Sequence, residues 1–76
     1  MTAPEQRFSI GRASGCDIVV PDPSVSRHHA ELVVLPDGKL FLIDRRSSRG
    51  TAILRGGQRI AVTQEVISPT DVLCFG

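Results

Sequence analysis

The 76-residue chain has no Trp, no Tyr and only three Phe, so it lacks the aromatic platform on which single-stranded nucleic acid binders stack bases. Charge of one sign is lacking as well. Nine basic and eight acidic side chains leave a formal net charge of +1, which supplies no general pull toward nucleic acid or an anionic membrane. Nucleic acid is therefore not an expected partner, and any basic site must be local. No apolar run is long enough to cross a bilayer, and Met1 to Arg7 is too polar for a secretory signal. Direct membrane insertion is not expected, and a cytoplasmic setting follows. Cysteine is scarce: Cys16 and Cys74 stand far apart with no CxxC spacing, which supports neither a disulfide framework nor a zinc site. Free thiols, and no metal or cofactor, are the expectation.

What is present is a series of short Val-, Ile- and Leu-rich segments between turn residues, the habit of a β-sandwich or barrel. Helical signals are nearly absent. The expected strands are Arg7–Ile10, Asp17–Val20, His29–Leu35, Lys39–Asp44, Thr51–Leu54, Arg59–Val62 and Val72–Phe75. Pro36-Asp37-Gly38 marks one hairpin, through a fixed φ, a side chain that bonds backbone and a residue tolerant of positive φ. Gly56-Gly57 marks a second, of type I′. Alternation puts Ala30, Leu32 and Val34 on one face of the third strand, whereas Leu40 to Ile43 leaves no polar face and suits an interior strand. At this length the chain holds one core, so residues 5–76 are expected to form a single domain preceded by a disordered stretch, residues 1–4.

Polar residues with chemistry collect in three turns: Gly11-Arg12, Ser26-Arg27-His28-His29 and Ser47-Ser48-Arg49-Gly50-Thr51. Loops at one end of a sandwich converge in space. Guanidinium forks and hydroxyls facing one point suit a dianionic phosphate, since they donate several charge-assisted bonds at once. Ordinary solvated loops are the competing reading. A hydrolase triad of Ser26, His29 and Asp44 is disfavoured by the short Ser26–His29 spacing and by the lack of a nucleophile elbow, so no enzyme is expected. A metal site from Cys16, His28, His29 and Cys74 is disfavoured too, because adjacent strand residues point to opposite faces.

The runs FSIGRASGCDIVVPDPSVSRHHAEL, LFLIDRRSSRGT and DVLCFG closely resemble the forkhead-associated (FHA) family over about nine-tenths of the chain. The resemblance implies an all-β FHA-like β-sandwich whose loops at one end grip a phosphothreonine. It further implies a phosphothreonine-dependent interaction module, with a Thr-phosphorylated protein, the product of a Ser/Thr kinase, as partner. By position, Arg12 corresponds to the family's phosphate-binding arginine. Ser26, Arg27 and Ser48 match further phosphopeptide-binding positions, and Gly11, His29, Gly50 and Thr51 match residues that support the site.

Two departures stand out. Arg49 occupies the place of the family's Asn. It either donates to a peptide carbonyl, adds to the phosphate site or favours an acidic residue beside the phosphothreonine; alternatively binding is lost and the module is a phosphate-independent scaffold. The chain is also short for the resemblance, without the family's first and last strands. Missing strands would leave sheet edges exposed, which invites a homo-oligomer.

Overall fold

The computed structural model describes residues 5–76; the expected disordered stretch, residues 1–4, lies outside the described residues. Among the described residues eight strands form: β1 (Gln6–Gly11), β2 (Ile18–Val19), β3 (Ala30–Val34), β4 (Leu40–Asp44), β5 (Thr51–Arg55), β6 (Gln58–Val62), β7 (Gln64–Ile67) and β8 (Val72–Phe75). They make a five-stranded sheet in the order β2-β1-β3-β4-β7 and a three-stranded sheet in the order β6-β5-β8. Only β1 and β2 pair in parallel; the other ladders are antiparallel.

Both hairpins form where turn chemistry placed them. Leu35 N–H donates to the Lys39 carbonyl at 2.9 Å while Asp37 Oδ1 accepts the Lys39 N–H, closing β3 onto β4 around Gly38 at φ 90°. Gly56 and Gly57 take φ 58° and 79° between the paired residues Arg55 and Gln58. Positive φ at both central positions is the type I′ signature that matches strand twist.

One strand, β7, was not expected. Its sequence, Gln64-Glu65-Val66-Ile67, is half polar and follows β6 after Thr63 alone, with no glycine or proline to mark a break. Thr63 is nonetheless where the chain leaves one sheet for the other, and its carbonyl accepts the Asp44 N–H at 2.9 Å. The third strand also starts one residue later than expected, at Ala30, while the ring of His29 bonds the Ser26 N–H and the Gly50 carbonyl.

The core lies between the sheets. Ile10, Ala30 and Leu42 of the larger sheet meet Ile53 and Val62 of the smaller, all buried. Apolar burial of this kind is the main favourable term in so small a domain. Val33 is buried too, although it lies on the opposite face of β3 from Ala30 and Leu32. Its pairing partners there, Arg7 and Phe41, lie across the ladder on either side.

At the end of the sandwich formed by Arg55, one ion pair ties the sheets. Arg55 gives Asp71 a two-pronged contact (Nε to Oδ1 3.0 Å, Nη2 to Oδ2 2.7 Å) and also donates to the Val66 carbonyl of β7 at 3.0 Å. The Arg55 bonds, together with the Ser68 N–H, hold the Asp71 carboxyl down to about 2. A lowered folded-state pKa contributes stability that is complete above the ordinary carboxylate value of about 3.9 and is lost as pH falls through the folded value. Asp71→Asn should therefore melt at lower temperature than the wild type near neutral pH. The difference should close as both are acidified toward the folded Asp71 value, which thermal melts across that range would reveal.

Candidate functional site

The register brings five strand ends to one place. Ile10, Ala30 and Asp44 stand in line across the larger sheet, and Thr51 and Phe75 pair in the smaller. The loops leaving these ends carry Arg12, Ser26, Arg27, Ser48 and Arg49.

Gly11 is set by close approach. A methyl group there would stand 2.1 Å from the Arg27 carbonyl oxygen and 3.0 Å from that of Ser26. That intimacy lets Arg12 N–H reach the Ser26 carbonyl (3.0 Å) and Ala13 N–H the Arg27 carbonyl (3.2 Å). The first and second loops are thus laced by backbone bonds. Gly50 is required for a different reason, since its φ of 84° is in the left-handed region, where side chains are disfavoured.

Arg12 is exposed, and its Nε donates to the Val25 carbonyl at 3.1 Å. This bond aims the guanidinium while leaving its two terminal nitrogens for a ligand. Ser26 Oγ accepts the Ser48 N–H at 3.0 Å, so the second and third loops meet at that hydroxyl, with Ser48 Oγ 3.4 Å away. Accepting this bond fixes the Ser26 oxygen, and its proton, which has only the long contact to Ser48 Oγ at 3.4 Å, can turn to a stronger acceptor. Arg27 and Arg49 lie exposed on either side of this junction in sequence, each on its own loop.

His29 is fully buried and holds the arrangement from beneath. Its Nδ1 accepts the Ser26 N–H at 3.0 Å, which assigns the ring proton to Nε2, and Nε2 donates to the Gly50 carbonyl at 2.8 Å. The ring also stands edge-on to Phe75, with centroids 5.6 Å apart. Both ring nitrogens are engaged by backbone groups, so the imidazole is not directed at Ser26 Oγ, and Asp44 is turned elsewhere.

Asp44 organises the third loop. Its Oδ1 accepts from the Ser47 hydroxyl and from Thr51 Oγ1 (2.7 Å), and its Oδ2 accepts the Ser47 N–H at 3.2 Å. Burial acts to raise this carboxyl, but the Ser47 and Thr51 bonds outweigh it and the pKa is lowered. The same loop holds Arg46 at φ 58°, a left-handed conformation costing a side-chain-bearing residue about 1–2 kcal/mol. A cleft of about 420 Å³ beside it is lined by Asp44, Arg45 and Arg46.

Arg45, Arg46 and the Val25 carbonyl were not singled out from sequence. Two extra arginines beside Ser47 were a visible signal; a backbone carbonyl carries none. Among the described residues Arg12, Arg27, Arg46 and Arg49 form no salt bridge, and Arg45 has only a long contact to Glu31 at 3.9 Å. Five of the nine basic side chains therefore crowd three loops of a chain whose net charge is +1. Cys16 and Cys74 are both free; the buried Cys16 thiol donates to the Arg27 carbonyl at 3.3 Å.

Comparison with known proteins gives a consistent picture. The family described as FHA domain matches residues 8–76. An ABC transporter ATP-binding/permease protein of Mycobacterium tuberculosis is 46% identical over 73 residues, covering 96% of this chain and 8% of that protein. The chain thus spans less than a tenth of that relative. Among solved structures, the FhaA FHA domain complexed with the intracellular domain of Rv3910 superposes with a TM-score of 0.81 at 26% identity, covering all of this chain and 78% of that one. The N-terminal FHA domain of S. cerevisiae Rad53p, in complex with a phosphothreonine peptide, gives 0.76 at 26% identity, covering 93% of this chain and 56% of that one.

The contrast between two glycines tests how the loops are held. Gly11→Ala should cost on the order of 1–3 kcal/mol, since its methyl meets backbone that cannot swing aside. Gly15→Ala, with no atom within 4 Å of the new methyl, should leave the midpoint of chemical denaturation nearly unchanged.

Proposed function

The chain belongs to the FHA domain family, and from that premise we propose that it is a phosphothreonine-reading interaction module, with no catalytic role. The observation that carries this reading is the junction of Arg12, Ser26 and Ser48. There a guanidinium aimed by the Val25 carbonyl lies on a loop laced to the Ser26 backbone carbonyl, and the Ser26 hydroxyl is in turn bonded to the Ser48 N–H. Arg12 supplies a fork for two phosphate oxygens, and Ser26 supplies a hydroxyl donor with its oxygen already fixed. Arg27 adds charge. The Rad53p domain, similar in fold, is seen with a phosphothreonine peptide, which supports the same class of ligand here. The partner is a Thr-phosphorylated protein, the product of a Ser/Thr kinase.

Three charge-assisted bonds of about 1.5–3 kcal/mol each, set against the ordering of a flexible peptide, give an affinity of roughly micromolar strength. Arg49 replaces the family's Asn, so the peptide main chain must find another donor. Together with Arg45 and Arg46 around the polar cleft, Arg49 makes the third loop strongly basic. We assign this loop a preference for an acidic residue near the phosphothreonine. The scaffold reading rests on the same substitution: if Arg49 cannot register the peptide, the module assembles without phosphate.

Fluorescence anisotropy with phosphothreonine peptides and their unphosphorylated twins separates the two. Saturable binding that requires the phosphate, and that Arg12→Ala weakens by about tenfold or more through loss of a charge-assisted contact, is expected. A folded wild type that binds neither peptide supports the scaffold instead. An acidic neighbour to the phosphothreonine should tighten binding in the wild type more than in Arg49→Ala. Since the phosphate's second pKa is about 6, affinity should fall as pH drops through that value; equal affinity on both sides of it would contradict recognition of the dianion.

A further inference from the structure

The hydroxyls at the loop end differ in how far their protons are committed. Ser47 Oγ and Thr51 Oγ1 both donate to Asp44 Oδ1, and Ser24 Oγ donates to Asp22 Oδ1 at 2.7 Å. Ser26 is half-buried, with its oxygen fixed by the Ser48 N–H. Ser48 is exposed, and among the described residues its Oγ has only the long contact to Ser26 Oγ at 3.4 Å. Ser14 is exposed as well, but one arginine, Arg12, stands within three residues of it; Ser48 has Arg45, Arg46 and Arg49.

The segment that carries Ser48 is lightly tied. Among the described residues the backbone of 46–49 makes no bond to another backbone group. Two side chains hold it, with Ser47 N–H donating to Asp44 Oδ2 at 3.2 Å and Ser48 N–H to Ser26 Oγ at 3.0 Å. An enzyme that needs this segment extended therefore breaks no sheet ladder to obtain it. Arg46, at φ 58°, leaves a disfavoured left-handed conformation on extending, which offsets part of the cost.

Resting on the reading of the Arg12–Ser26 junction as a phosphate site, we propose that Ser48 is phosphorylated by an arginine-directed serine kinase, and that its phosphate occupies the junction and closes it to peptide. Arg45 and Arg46 stand three and two residues before Ser48, where they complement a kinase groove lined by carboxylates. The γ-phosphoryl group of ATP passes to Ser48 Oγ: its bond to the ADP oxygen breaks as the Oγ–P bond forms, and the hydroxyl proton leaves to the kinase's catalytic base. Close to two negative charges are thereby added to loops whose Arg12, Arg46 and Arg49 form no salt bridge among the described residues. With the two serine oxygens 3.4 Å apart, the new phosphate reaches the Ser26 proton, the donor that a peptide phosphate would use. A tethered phosphate acts at an effective concentration of about millimolar, well above the roughly micromolar affinity expected for a peptide.

Treatment of the 76-residue chain with such a kinase and ATP, followed by peptide mapping, should place a phosphate on Ser48 that is lost in Ser48→Ala. Phosphoserine inserted at position 48 during synthesis gives uniform material, which should keep a cooperative melt. Its affinity for a phosphothreonine peptide should lie about tenfold or more below that of the unmodified chain. Its phosphorus NMR signal should titrate about one pH unit below the usual second pKa of about 6, and return toward that value in Arg12→Ala. A chain left unmodified or modified at Ser14 or Ser47 instead, loss of the cooperative melt, undiminished peptide affinity, or a phosphorus titration that Arg12→Ala leaves unmoved would each overturn the proposal. If the unmodified chain binds no phosphothreonine peptide, the reader function fails; the phosphorus titration needs no peptide, and its dependence on Arg12 supports or overturns the Ser48 site by itself.

Discussion

The imidazole of His29 is buried among backbone groups, and the placement of the loops depends on how it is held. Its two nitrogens accept from Ser26 and donate to Gly50, its own N–H reaches the Ile10 carbonyl, and its carbonyl accepts from Arg45. The chain around Ile10, the loop of Ser26 and the loop from Arg45 to Gly50 thus meet at one residue. A buried polar ring is tolerated only when each of its polar atoms is paired, so the ring and the loops specify one another: neither loop can shift without stranding a nitrogen. The hydroxyl of Ser26 inherits its position from this arrangement, since its own backbone N–H is one of the anchored groups.

The charged groups divide between the two ends of the sandwich according to use. At the Arg55 end, guanidinium and carboxylate satisfy one another and the side chain of Asp71 is almost wholly withdrawn from water. At the loop end, Arg12, Arg27, Arg46 and Arg49 stand without carboxylate partners, and Asp44 commits its oxygens to Ser47 and Thr51 as Asp22 does to Ser24. A module with near-neutral net charge therefore carries a concentrated positive field on one end. Fields of this kind act within about 10 Å at ordinary salt, which confines them to a ligand already close by.

Much of the architecture was legible because turn chemistry and β-branched runs act locally. Asp37-Gly38 and Gly56-Gly57 announced their hairpins, and the apolar stretch Leu40 to Ile43 announced an interior strand. β7 was hidden because a chain can change sheets at one residue, Thr63, without any of the residues that usually mark a turn. At the site, the ordered motifs pointed to Arg12, Ser26 and Ser48, whose positions the fold brings to the same end. The left-handed Arg46 and the Val25 carbonyl were illegible: the first is tolerated because its neighbours are held by Asp44, and the second is a backbone atom. Gly11 was readable as special, but whether for φ or for space depended on knowing that Arg27 passes over it.

The edge-on contact of His29 with Phe75 joins an early part of the chain to a late one. A ribosome releases residues in order, at about 5–20 per second, so the loops around Arg12 and Ser26 leave the exit tunnel well before the ring that backs their anchor. β5 must likewise wait for β8 before the smaller sheet is complete. The nascent chain therefore exposes the Arg12 and Ser26 side chains before it can arrange them, and the junction of the loops matures only when synthesis has passed Phe75.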